Sequence, residues 1–209
     1  MKKVSKLSVF IFLFLLVSIV YPLFLMLLKV EWNKFGSLIS SYAFKESLFN
    51  SLFITVISTI ISVSVAYLLA LSLNRSNIKH KAILKTLLTL PSLIPSISHG
   101  LGLINLFGAN GIVSRLFGFN IIGKAGIIVG SFMYSFPVAF LMLDDGFHYI
   151  DNKMYDVAKV LGFNKFQTFK KVTFCYLKKP LLSSIFAVFT LIFTDYGVPL
   201  SVEIGRAHV

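Results

Sequence analysis

Few residues in this chain could do chemistry, and they lie in apolar surroundings. Of 209 residues, 56% are apolar and only 13% are Asp, Glu, Lys or Arg, so an ionisable group inside an apolar run stands out. Asp195 is one such group. It lies about 21 Å along a span counted from Leu181 at 1.5 Å per residue, just before Tyr196-Gly197-Val198-Pro199, which must unwind a helix. An acid at that depth reads as a gate or path residue, or else as a carboxylate reaching the interface. His99 is the second, placed after Pro91 and Pro95 with Ser92, Ser96 and Ser98 beside it. The prolines free backbone carbonyls that either line a cavity or are satisfied by those serines. Pro95, Ser98, His99 and Asp195 are therefore the candidate translocation-path residues. Nothing here forms a nucleophile, base and orienting group, so no catalytic residue is assigned. The single Cys175 excludes an internal disulfide, and without a Cys/His cluster no metal site and no cofactor is expected.

One phosphate-binding pattern needs weighing. Gly118-Phe119-Asn120-Ile121-Ile122-Gly123-Lys124 fits G-x-x-x-x-G-K, but Ala125 replaces the Ser or Thr whose hydroxyl would hold magnesium. The match reads as coincidence in a glycine-rich turn, and the chain is not expected to hydrolyse nucleotide itself.

The elements that must position these residues are membrane spans. A mean hydropathy of +0.85 over 209 residues is more apolar surface than one soluble core can hide. The expected fold is an all-α polytopic membrane protein with about five transmembrane helices of an expected six or more. Lys2, Lys3 and Lys6 precede an apolar run from about Leu7 to Leu28, read as an uncleaved signal anchor. An outer loop with Trp32, Phe35 and Tyr42 follows. Further spans are expected at about 48–73, 83–107 (interrupted by Pro91 and Pro95), 125–143 (broken by Pro137) and 181–200. Asp144 and Asp145 read as markers of a span's cytoplasmic edge.

Basic residues are retained on the cytoplasmic side. With the N-terminus inside, fourteen Lys and Arg fall in the cytoplasm against five outside, Arg206 being left aside. The net charge of +12 is then explained by topology and anionic membrane lipid. With no soluble domain to carry one, no nucleic-acid partner is expected.

That count puts the one long polar passage, Asp151 to Pro180, in the cytoplasm. Met154, Val157, Ala158 and Leu161 recur at helical spacing after a cap at Asp151 or Asn152, and Gly162 supplies a left-handed stop. A second short helix is expected from Asn164, with Gln167 at capping-box spacing and Phe163, Phe166 and Phe169 along one side. Two helices meeting at a glycine with an exposed apolar face read as a docking surface.

Asp156-Val157-Ala158, three residues, Gly162, nine residues, Val172 resembles the EAA loop (E-A-A, three, G, nine, I-x-L-P) of permease subunits of binding-protein-dependent type I ABC importers. Asp156 stands for the Glu, Val157 for the first Ala, and Cys175 sits where the family has Pro. The resemblance extends from about Asn50 to Val202. FTDYGVPL and LPSLIPSISHG look like spans of the iron(III), thiamine and 2-aminoethylphosphonate branch.

The resemblance implies a permease in the bacterial inner membrane that forms a translocation path, with iron(III) or a phosphonate as substrate. It also implies two ATPase subunits, a second permease subunit or fused half, and an extracytoplasmic substrate-binding protein as partners. Asp156, Val157, Ala158, Leu161, Gly162, Phe166 and Val172 would carry the coupling to the ATPase. The alternatives are an ion-coupled secondary transporter, which wants paired charges at mid-membrane, and a membrane-embedded enzyme, which wants a catalytic cluster.

The expected organisation is 1–47 signal anchor and outer loop, 48–202 permease core with the coupling loop at 151–180, and 203–209 a non-native tail. The tail EIGRAHV back-translates to a common sequencing adapter, so the chain reads as C-terminally truncated near Val202.

Overall fold

The computed structural model describes residues 6–76, 78–118, 121, 123–151 and 153–207. Lys2, Lys3, Asn152, His208 and Val209, and Phe119, Asn120 and Ile122 of the phosphate-loop look-alike, lie outside the described residues. The described residues are all-helical with no strand, and five helical segments are long and apolar enough to cross a membrane.

Two compact units divide at Phe49 and Asn50. In the first, helix α1 (Lys6–Leu28) exposes its Leu, Phe and Val side chains on all sides. Hydrocarbon is the medium in which such a surface is stable. Helix α2 (Trp32–Ser40) is short and amphipathic, with Trp32 edge-on to Phe35 at 5.9 Å, the aromatic type that settles at a membrane interface. Helix α3 (Tyr42–Arg75) begins in this unit and runs on into the second.

In the second unit α3 packs through small residues. Ser58, Ser62, Ala66 and Ala70 recur every fourth position and are fully buried, a spacing that lets helix backbones approach closely. Helix α7 (Lys124–His148) answers with Ser131, Ser135 and Ala139, and Ser62 and Ser135 share a buried hydrogen bond of 2.9 Å. Phe136, Phe140, Leu143 and Phe147 complete the face of α7 that meets α3 and helix α10 (Phe174–Phe193) in one core. Gly146 allows Pro180 of α10 to lie against α7, since a Cβ there would come within 2.8 Å of the ring.

Four expected spans have different boundaries, the 48–73 span starting already at Tyr42. The segment 83–107 is interrupted at its prolines, as expected, into α4 (Lys81–Thr89), a 3-10 turn (Leu90–Leu93) and α5 (Ser96–Phe107). Ile94 is held extended before Pro95, as the residue preceding a proline prefers. Helix α6 (Ile112–Phe117) follows α5 and adds to its crossing length.

Helix α7 is not broken at Pro137. It runs intact from Lys124 to His148 with that proline buried inside it, where neighbouring helices hold the shape. The last span ends at Phe193 rather than Leu200. A separate helix, α11 (Gly197–Ala207), then packs on α5 and α7.

Candidate docking elbow and translocation path

The elbow between α7 and α10 is built as its sequence dictates at three points. Asp151 caps helix α8 (Lys153–Val160), its carboxylate accepting from the Lys153 amide at 2.9 Å. Gly162 turns the chain at φ +70, and nothing lies within 4 Å of where a Cβ would be, so the demand for glycine there is purely conformational. The capping box forms in full. Asn164 Oδ1 accepts from the Gln167 amide at 2.8 Å, and Gln167 Oε1 accepts from the Asn164 amide at 3.0 Å.

The second helix is not separate, however. Helix α9 (Lys165–Thr168) passes through a π-helical turn (Phe169–Thr173) straight into α10, with Cys175 exposed inside that continuous helix.

The faces of the elbow also differ from the expected ones. Tyr155 and Ala158 are the buried side of α8, while Met154, Val157, Val160 and Leu161 are exposed, Val160 at 87%. The three phenylalanines do not share a side: Phe163 packs on the core under the Lys171 ammonium (4.4 Å), whereas Phe166 is exposed at 72%. Val172 is buried in the π turn. Asp156 is exposed and pairs with Lys159 at 3.8 Å. The structure thus separates the coupling candidates into a root (Ala158, Val172), a hinge (Gly162) and an exposed face (Val157, Leu161, Phe166, with Asp156 beside them).

Around the path candidates, Pro95 forms the N-cap of α5 and is exposed, as is Ser98. His99 is buried; its Nδ1 lies 3.2 Å from the Pro95 carbonyl, and its Nε2 has no hydrogen-bond partner among the described residues. Its ring is 6.0 Å from that of Tyr134. Asp195 has a local task. Its carboxylate accepts from the amides of Val198 (3.0 Å) and Gly197 (3.4 Å), capping α11. Glycines bring α11 against its neighbours: Gly197 meets Ser96 and Ile97, Gly100 meets Ser201 and Val198, and Gly130 meets Val198.

The family model of the binding-protein-dependent transport system inner membrane component matches residues 62–206. The chain belongs to this family. It is a multi-pass inner-membrane permease component. The ferric transport system permease protein FbpB of Actinobacillus pleuropneumoniae is 29% identical over 66% of this chain and 21% of its own length. A probable sulfate transport system permease protein cysT of Helicosporidium sp. subsp. Simulium jonesii is 26% identical over 63% of this chain and 50% of its own. The probable transport system permease protein NifC of Clostridium pasteurianum is 26% identical over 56% of this chain and 43% of its own. The permease therefore spans half or less of these relatives.

Two features of the permease escaped the sequence reading. Asp144, read as marking a span's edge, has partners there. It is buried, its Oδ2 lies 2.7 Å from Lys85 Nζ, and its Oδ1 accepts from Asn74 Nδ2 at 2.6 Å. Tyr155, read only as part of the elbow's length, is its main anchor, with the Arg75 guanidinium 3.4 Å over its ring and its hydroxyl 3.1 Å from Thr173 Oγ1. Lys124 of the phosphate-loop look-alike donates to Asn50 Oδ1 at 2.8 Å, an ordinary interhelical bond.

Proposed function

We propose that this permease forms part of a substrate path across the inner membrane. In this reading its elbow, residues 151–180, seats in a cytoplasmic ATPase subunit. A second permease subunit or fused half would supply the rest of the path, a second ATPase subunit would serve that half, and an extracytoplasmic binding protein would deliver substrate. The observation that carries this is the elbow's division into a buried root and an exposed apolar face. Val157, Val160, Leu161 and Phe166 face outward on a segment whose Tyr155, Ala158 and Val172 are fixed in the bundle. Exposed apolar side chains on a rooted polar segment are what a partner's cleft would bury.

The lysine-rich elbow favours the cytoplasmic side, and the N-terminus shares it. Closure of the ATPase pair on nucleotide would displace the elbow, and the spans rooted to it would rock between inward-facing and outward-facing states. Pro95, Ser98, His99 and Asp195 would line or gate the path at the α5–α11 contact. The substrate would be iron(III) or a phosphonate: the FbpB relative is named a ferric permease, and FTDYGVPL and LPSLIPSISHG point to the same branch.

Co-expression of the permease with its ATPase and binding protein, followed by detergent purification, tests the docking. Leu161→Glu is expected to release the ATPase while the permease still inserts; retention by that variant would count against the elbow as the seat. Uptake of radioiron and of a labelled phosphonate tests the substrate.

A further inference from the structure

Two polar clusters at the cytoplasmic ends of the helices join into one continuous path. Asp144 of α7 is the centre of the first. Its side chain is 11% exposed and is held by Lys85 of α4 at 2.7 Å and by Asn74 of α3 at 2.6 Å, while Asn74 Nδ2 also donates to the Ala70 carbonyl at 2.9 Å. Each oxygen of the carboxylate has its own donor. The second begins one residue on, at Arg75, whose guanidinium covers the buried ring of Tyr155 in α8. Tyr155 bonds Thr173 at the start of α10. A polar cavity of about 220 Å³ lies between the clusters, lined by Asn74, Arg75, Phe147, His148, Ile150 and Tyr155.

What lies at the far end gives this path a purpose. Helix α4 contacts α7 with no fully buried side chain, Leu88 packing partly against the core, and the Lys85–Asp144 pair ties its polar side to α7. It runs directly into the 3-10 turn and then Pro95 and α5, where His99 sits. A displaced α8 would pull Arg75 through the Tyr155 ring. The end of α3 would move with it, and Asp144 would pass the motion to Lys85.

We propose that Tyr155, Arg75, Asn74, Asp144 and Lys85 form a polar linkage that carries displacement of the elbow to α4, and so to the broken segment before α5. They are positioning residues for gating, and the inference rests on the elbow being the ATPase seat. A chain of contacts is coupling only if cutting one link uncouples the ends.

The test uses the whole transporter assembled with its ATPase subunits in lipid nanodiscs, in a Cys175→Ser background. Spin labels at Leu87→Cys on α4 and Phe186→Cys on α10, both exposed positions, report the α4–α10 distance before and after trapping with ATP, magnesium and vanadate. Trapping is expected to shift that distance in the parent. In Asp144→Asn and in Arg75→Gln the shift is expected to vanish, while bound ATPase and trapped ADP stay within twofold of the parent. Lys85→Arg, which keeps the charge, is expected to retain the shift.

An unchanged shift in Arg75→Gln, whose exposed side chain makes it safe for folding, overturns the linkage even if Asp144→Asn does not assemble. So does a parent that traps ADP without any shift. Failure of the docking reading looks different: the parent then retains no ATPase and traps no nucleotide.

Discussion

Gly100 and Gly102 lie two residues apart on α5 and have opposite tolerances. A Cβ at Gly100 would collide with the Ser201 side chain, whereas at Gly102 nothing lies within 4 Å. Gly100→Ala is therefore expected to push α11 off α5 and destabilise the permease by about 1–3 kcal/mol, the usual cost of overpacking. Gly102→Ala should leave stability unchanged, and thermal unfolding in detergent compares the two. Gly162 is a third case, with open space around it but φ +70. Gly162→Val forces a β-branched residue into the left-handed region at about 1–2 kcal/mol or more. It is expected to abolish uptake with membrane insertion intact, read by transport assay beside membrane-fraction immunoblot. Gly162 was legible from sequence because its reason is local: a helix must stop there. Gly100 and Asp144 were not. Their partners stand far off in the chain, Asn74 and Asp144 being 70 residues apart, and no local spacing reports such a pair.

At the scale of elements, apolar runs revealed which segments are helical, but prolines misled about where helices end. Pro137 sits inside an unbroken α7 because burial among neighbours compensates the lost bond, whereas Pro95 marks a true break because Ile94 before it turns extended. The break after Phe193 shows the same dependence. The Tyr196–Pro199 run signalled it, but not that a new helix would follow with Asp195 as its cap. That cap allows its structural and path roles to be separated. Asp195→Ala is expected to cost about 1 kcal/mol and to raise amide exchange over Val198–Val202. Asp195→Asn keeps an accepting oxygen, so exchange there should stay at the parent level. If Asp195→Asn also transports normally, the carboxylate's charge is not used in the path. If uptake falls several-fold while exchange is unchanged, the charge itself contacts substrate or gate.

At the scale of the molecule, hydropathy and length revealed five crossings, and the structure has five candidate spans with shifted limits. Their packing order was hidden, because in lipid a Leu face and a lipid face look alike and the deciding signal is small residues at fourfold spacing, here Ser58, Ser62, Ala66 and Ala70. Orientation rests on charge alone: the elbow is lysine-rich, the α3–α4 connection holds Lys79 between Arg75 and Lys81, and the α6–α7 connection is poor in basic residues. If basic residues are held inside, Val160 at the elbow and Leu116 on α6 face opposite compartments, and both side chains are exposed enough to react, at 87% and 74%. In a Cys175→Ser background, Val160→Cys should resist a membrane-impermeant maleimide in intact spheroplasts and label fully once they are lysed. Leu116→Cys should label in both. The reversed pattern would put the elbow on the face without ATP, where no ATPase could grip it; labelling of neither after lysis would place it in lipid, where Lys165, Lys170 and Lys171 could not remain charged at tolerable cost.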